Sequence, residues 1–126
     1  MPTVLVVLAL GLAATACSSQ SDADASTPTA PSTSLTVTIS SAGVDPKTLV
    51  VPAGNQVLFV NNDVSDHQMS SDPHPDHMDC PELNQVGFLS PGQRRQTGNL
   101  NTIRACGFHD HDRPSDTSLK GTILIR

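Results

Sequence analysis

The sequence predicts an all-β domain, a sandwich or barrel of about six to eight short strands. Three observations lead there. The apolar runs are short, rich in Val, Ile, Leu and Thr, and separated by turns of Pro, Gly, Asn and Asp. The long polar stretch from residue 64 to 86 shows no helical period. The chain has no Trp or Tyr and three Phe (Phe59, Phe88 and Phe108), so one small core must be built mostly from aliphatic side chains.

The elements follow in order. Leu35 to Ile39 alternates apolar and polar residues and reads as a half-buried strand. Val44-Asp-Pro-Lys47 leads into a second strand, Thr48 to Val51, which Pro52-Ala-Gly-Asn55 turns into a third, Gln56 to Val60. Residues 64 to 86 are polar and Pro-rich and predict a long loop, with a few helical residues near Cys80 to Gln85. Gly87 to Ser90 predicts a short strand before the Pro91-Gly92 turn, and Arg94 to Phe108 two strands broken near Gly98-Asn99. Lys120 to Arg126 closes the chain as a strong strand.

The N-terminal part reads differently. Val4 to Ala14 is an apolar run too short to span a bilayer as a helix and suited to a signal peptide over residues 1–16. Thr15-Ala16-Cys17 resembles a bacterial lipobox, which implies cleavage before Cys17 and lipid on its sulfur. The Ser-, Thr-, Ala- and Pro-rich stretch through residue 34 has little to bury and reads as a flexible tether. The expectation is an exported chain on the bacterial cell envelope, lipid-anchored and facing the periplasm or exterior, with residues 35–126 as its domain. The formal net charge is −5 and no basic patch appears, so no nucleic-acid partner is expected.

All five histidines fall between His67 and His111, as His67, His74 and His77 and then His109 and His111. Neutral imidazole is the commonest metal ligand. His109 and His111, two apart on an extended chain, point the same way. Prolines around His74 and His77 stiffen their loop, and Met69 and Met78 are candidate thioether ligands for Cu(I). Acidic residues interleave with the histidines and can orient imidazoles. Both clusters follow predicted strands, and a sandwich gathers its loops at its poles, where the two are expected to meet.

Leu49-Val-Val-Pro-Ala-Gly-Asn-Gln-Val-Leu-Phe-Val-Asn-Asn-Asp63, the His67 that follows it, and the final strand Leu119 to Ile125 resemble the cupredoxin superfamily of plastocyanin-like and azurin-like proteins. The resemblance implies a Greek-key β-sandwich and a copper site with His67 as its leading ligand. The electron-transfer members end in a Cys, His and Met loop. Here the loop is Cys106-Gly-Phe-His-Asp-His-Asp112, with Leu119 in place of the Met. His109-Asp-His111 and Asp72-Pro-His-Pro-Asp-His77 look more like single-domain cupredoxin-like lipoproteins with histidine-rich sites.

The expected metal ligands are therefore His67, His74, His77, His109 and His111, and the expected metal is copper. Cys106 has two readings, a thiolate ligand or a disulfide partner of Cys80. An oxidising compartment favours the disulfide, worth about 3 kcal/mol for a loop of roughly 25 residues. The expected function is to carry, buffer or deliver copper, with a copper-exchange or redox protein as partner. Electron transfer through a Cys106 thiolate is the alternative. No Ser-His-Asp spacing, phosphate loop or paired-carboxylate pattern offers a metal-free catalytic alternative; an enzyme using a histidine-ligated copper is a further reading.

Overall fold

A computed structural model of the chain describes residues 34–126. Up to residue 33, the stretches expected to be a signal peptide and a tether, with Cys17, lie outside the described residues.

Two sheets form the domain. In the first, β1 (Thr36–Ser40) turns back into β2 (Gly43–Asp45), runs parallel to β4 (Leu58–Asn61), and β4 pairs antiparallel with β7 (Arg94–Gln96). In the second, β3 (Thr48–Val51) runs parallel to β9 (Gly121–Ile125), and β8 (Ala105–Asp110), β5 (His67–Ser71) and β6 (Gly87–Leu89) continue it antiparallel. The orders β2-β1-β4-β7 and β3-β9-β8-β5-β6 require repeated crossings between sheets, as a Greek-key sandwich does. Short 3-10 helices occupy Leu83–Gln85, within the stretch expected to hold a few helical residues, and Thr117–Leu119.

Alternation decides which side chains meet. Val37 and Ile39 of β1, Leu49 and Val51 of β3, Phe59 of β4, and Ile123 and Ile125 of β9 all turn inward and are buried. Phe59 and Phe108 join the two sheets edge to face, with centroids 5.2 Å apart. Gly43, at φ +108°, has no room for a side chain, because a Cβ there would run into the Ser118 backbone.

The predicted strands are present, with two additions. β2 completes a hairpin where only a lead-in to the next strand was expected. β5 lies inside the stretch read as loop. Its sequence, His-Gln-Met-Ser-Ser, carries almost no apolar signal, yet β6 and β8 flank it and complete its backbone hydrogen bonds. At its start, buried Asn61 donates to the carbonyls of Ser65 (2.8 Å) and Leu89 (2.9 Å) and accepts from the Asp63 N–H (2.9 Å). That asparagine fixes the path from β4 into β5.

Candidate metal centre

Register separates the histidines onto two faces. Met69 of β5 pairs with Asp110 of β8, and Ser70 with His109. Met69 and Phe108 belong to the core. By alternation His67 and Asp110 share their inward side, while His109 projects from the outer face of the sheet.

His67, at 1% exposure, sits between carboxylates. Its Nδ1 is 2.9 Å from Asp110 Oδ2 and its Nε2 3.1 Å from Asp63 Oδ2. Arg113 closes the group, with Nε 3.3 Å from Asp110 Oδ2, Nη2 3.2 Å from His67 Nδ1, and Nη2 donating to the Asp66 carbonyl at 2.7 Å. Carboxylate oxygens only accept, so both ring nitrogens are engaged in holding the pole. The Val64 N–H and then the His67 hydrogen bond hold the Asp63 carboxyl below its usual range; desolvation opposes them, and the smaller effects of the His67 and Arg113 charges add to the lowering.

The other four histidines gather on the outer face. One ligand atom from each of His74, His77 and His109 falls within 4.8 Å of the others. His111 adjoins them, its ring centroid 5.0 Å from His74 and 4.9 Å from His77. The structure thus brings together four of the five expected ligands and leaves His67 outside the group. The site lies on a sheet face under the 72–79 loop, not where end loops meet at a pole. The physical reason is that His67 and His109 belong to paired strands themselves, so strand parity sets their directions.

The loop is fixed at both ends. The Asp72 N–H donates to Gly107 O (3.0 Å), the Asp79 N–H donates to Asp72 O (3.0 Å), and Cys80 is joined to Cys106 by a disulfide with Cα atoms 5.8 Å apart. Cys106 faces the core, and its sulfur is not available as a thiolate. His77 has φ 54°, a left-handed conformation that costs about 1–2 kcal/mol in a non-glycine residue. Its carbonyl accepts from Asn84 Nδ2 (2.8 Å) and Ser71 Oγ (2.9 Å), which hold it there. Asn84 itself is positioned by the Ser71 N–H, which donates to Asn84 Oδ1 at 2.8 Å. Nothing in the sequence marked Asn84 or Ser71 as supports of the site.

Hydrogen bonds set the tautomers. His109 Nδ1 lies 2.6 Å from Asp72 Oδ1, and His77 Nδ1 lies 2.7 Å from the Ser71 carbonyl. Both partners only accept, so in the neutral rings each Nδ1 carries the hydrogen and each Nε2 a lone pair. His77 Nε2 receives the Nδ1–H of His111 at 2.8 Å. His109 Nε2 is buried and has no partner; among the described residues the other such side-chain atom is Arg104 Nε. A lone pair buried without a donor is costly for folding and is what a metal ion satisfies. His74 is exposed, His77 half-buried and His109 buried, so the group opens to solvent on the His74 side. Partial desolvation, then the charges of His111, His109 and His77, lower the pKa of His74 from 6.5. Neutral imidazoles with exposed and buried donors fit copper and zinc. Of the methionines considered as ligands, Met69 is packed in the core and Met78 is exposed.

No protein-family model matches the chain, and no curated protein matches it in sequence. Solved structures do match its fold. A purple cupredoxin from Nitrosopumilus maritimus aligns with a TM-score of 0.56 at 16% identity, over 72% of this chain and 98% of that one. Oxidized plastocyanin from Dryopteris crassirhizoma aligns at 0.55 and 20% identity, over 72% and 99%. A mutant amicyanin in its Cu(I) form aligns at 0.55 and 15% identity, over 72% and 80%. The outer-face histidine cluster thus stands on a β-sandwich of the cupredoxin-like fold.

Proposed function

We propose that this chain is an exported, membrane-anchored copper-binding protein that carries, buffers or delivers copper through the histidine site. The observation that supports it most is the convergence of one ring nitrogen each of His74, His77 and His109 within 4.8 Å of one another, in a group whose His109 Nε2 is buried and unpartnered. Imidazole donors suit copper in either common oxidation state, and copper(II) heads the affinity order of divalent metals. The solved neighbours add that this fold holds copper elsewhere, the amicyanin being described in its Cu(I) form.

Bound copper would supply an exchangeable, redox-active cation; the chain supplies its holding and release. His109 and His77 offer Nε2 lone pairs already oriented by Asp72 and Ser71. His111 donates to the His77 lone pair and yields it when a cation takes its place. Exposed His74 faces solvent, where an exchange partner meets the site. Lipid on Cys17 would keep the domain at the envelope surface. The alternative, electron transfer through a Cys106 thiolate, is disfavoured by the disulfide.

The test is copper retention. The full-length chain, loaded with Cu(II) and dialysed against a weak chelator, is expected to keep copper, and His109→Ala to lose it. A wild-type chain that retains no more copper than His109→Ala would refute the reading.

A further inference from the structure

We infer that Asp72 is a positioning residue of the metal centre: its carboxylate fixes the His109 tautomer and biases the site toward Cu(II) over Cu(I), in a seat that exists because residue 107 is glycine. The inference rests on the copper reading above and adds the group that sets its selectivity.

Three observations carry it. Asp72 Oδ1 lies 2.6 Å from His109 Nδ1, on the opposite side of the ring from the unpartnered Nε2. The carboxylate therefore holds the hydrogen at Nδ1 and leaves the lone pair on the metal side. Second, the Asp72 backbone is tied to β8 and to its own loop, with its N–H on Gly107 O and its carbonyl taken by the Asp79 N–H, both at 3.0 Å. The side chain is thus aimed from a fixed backbone. Third, a Cβ on Gly107 would collide with the Asp72 carboxylate, so the carboxylate fills the space that glycine leaves. Gly107 is not in the left-handed region, so space and not backbone conformation calls for the glycine.

The electrostatic consequence follows from the donor set. Three neutral imidazoles carry no charge toward the cation. One carboxylate behind His109 adds a negative charge, through the ring, to whatever ion is bound. It stabilises a doubly charged ion more than a singly charged one. Arg113 is engaged with Asp110 and the Asp66 carbonyl on the His67 side.

Two measurements on the full-length chain test the proposal. The first needs no metal: 15N NMR of the imidazoles in mildly alkaline, metal-free buffer. Wild-type His109 is expected as the Nδ1–H tautomer. Asp72→Ala and Gly107→Ala are expected to lose that preference, the latter by displacing the carboxylate. Asp72→Asn keeps an accepting oxygen and should retain it. The second is competition with chelators for each copper ion. Asp72→Asn is expected to weaken Cu(II) by about 10- to 100-fold and Cu(I) by less. Each tenfold difference raises the one-electron potential by about 59 mV. An Nε2–H tautomer in wild type, an unchanged tautomer in Asp72→Ala, or equal loss of both ions in Asp72→Asn would overturn the proposal. If the wild type retains no copper, the copper reading fails, and the metal-free spectra still decide whether Asp72 orients His109.

Discussion

His67 and His109 are each 1% exposed, and what distinguishes them is their partners. His67 has a carboxylate at each nitrogen, whereas His109 has one at Nδ1 and nothing at Nε2. His67→Ala leaves Asp63 and buried Asp110 without the ring between them. It is expected to cost about 1–3 kcal/mol in urea unfolding while copper affinity stays near wild type. Weakened copper binding with unchanged stability would instead make His67 a ligand. The sequence marked both residues as metal-binding histidines, because motif and spacing carry residue type and order but not the side of a strand. Parity carries that: once Phe108 is placed in the core, His109 must face away. Acid tests the same residues. His74 has its pKa lowered from 6.5 by partial desolvation and then by neighbouring histidines, and the folded chain takes up that proton later than the unfolded one. Its contribution to stability is complete above pH 6.5 and is lost as pH falls through its own lowered value. Asp63 is lowered chiefly by the Val64 N–H and Asp116 by Ser118, so their contributions persist down to 3.8 and are lost below it. Melting temperatures of metal-free protein should fall in that order on acidification. A rise in melting temperature between pH 7 and 5 would contradict the assignment of His74.

At the scale of elements, the 72–79 loop and β8 act as one unit. The Cys80–Cys106 bridge, spanning 26 residues, ties the loop that carries His74 and His77 to the strand that carries His109. Replacing both cysteines with serine is expected to lower stability by about 2–4 kcal/mol and to weaken copper binding. In unreduced native protein, thiol reagents should find neither Cys80 nor Cys106. Titration of both would remove the bridge. The pairing was legible from cysteine count and the compartment expected from the sequence. The strand was not, because His67-Gln-Met-Ser-Ser71 presents one apolar side chain and its identity as β5 comes from β6 and β8 on either side. Gly43 tests the hairpin in the other sheet. Gly43→Ala would drive a methyl group into the Ser118 backbone at a positive φ. A loss of more than about 1 kcal/mol is expected by chemical denaturation, and an unchanged midpoint would contradict that packing.

At the scale of the molecule, the fold was legible because its aliphatic strands, Thr48–Val51 and Gly121–Ile125 above all, carry the core and pair with each other. The site's place was less so. A sandwich pole was the natural expectation, but the His67 group occupies one pole with its carboxylates and Arg113, and the cluster of His74, His77 and His109 lies on the outer face of the β3-β9-β8-β5-β6 sheet. Among the described residues the core is assembled from residues after 34, so deleting the first 34 is expected to leave a dispersed NMR spectrum and unaltered copper binding. A collapsed spectrum would mean that the earlier residues contribute to the fold. The central claim is an imidazole site for copper without a thiolate. The most direct measurement is the visible and electron paramagnetic resonance spectrum of Cu(II)-loaded full-length chain after excess metal is removed. The account predicts weak d–d absorption with nitrogen hyperfine structure that is lost in His109→Ala. An intense thiolate-to-copper band, or a chain that holds no copper, would contradict it.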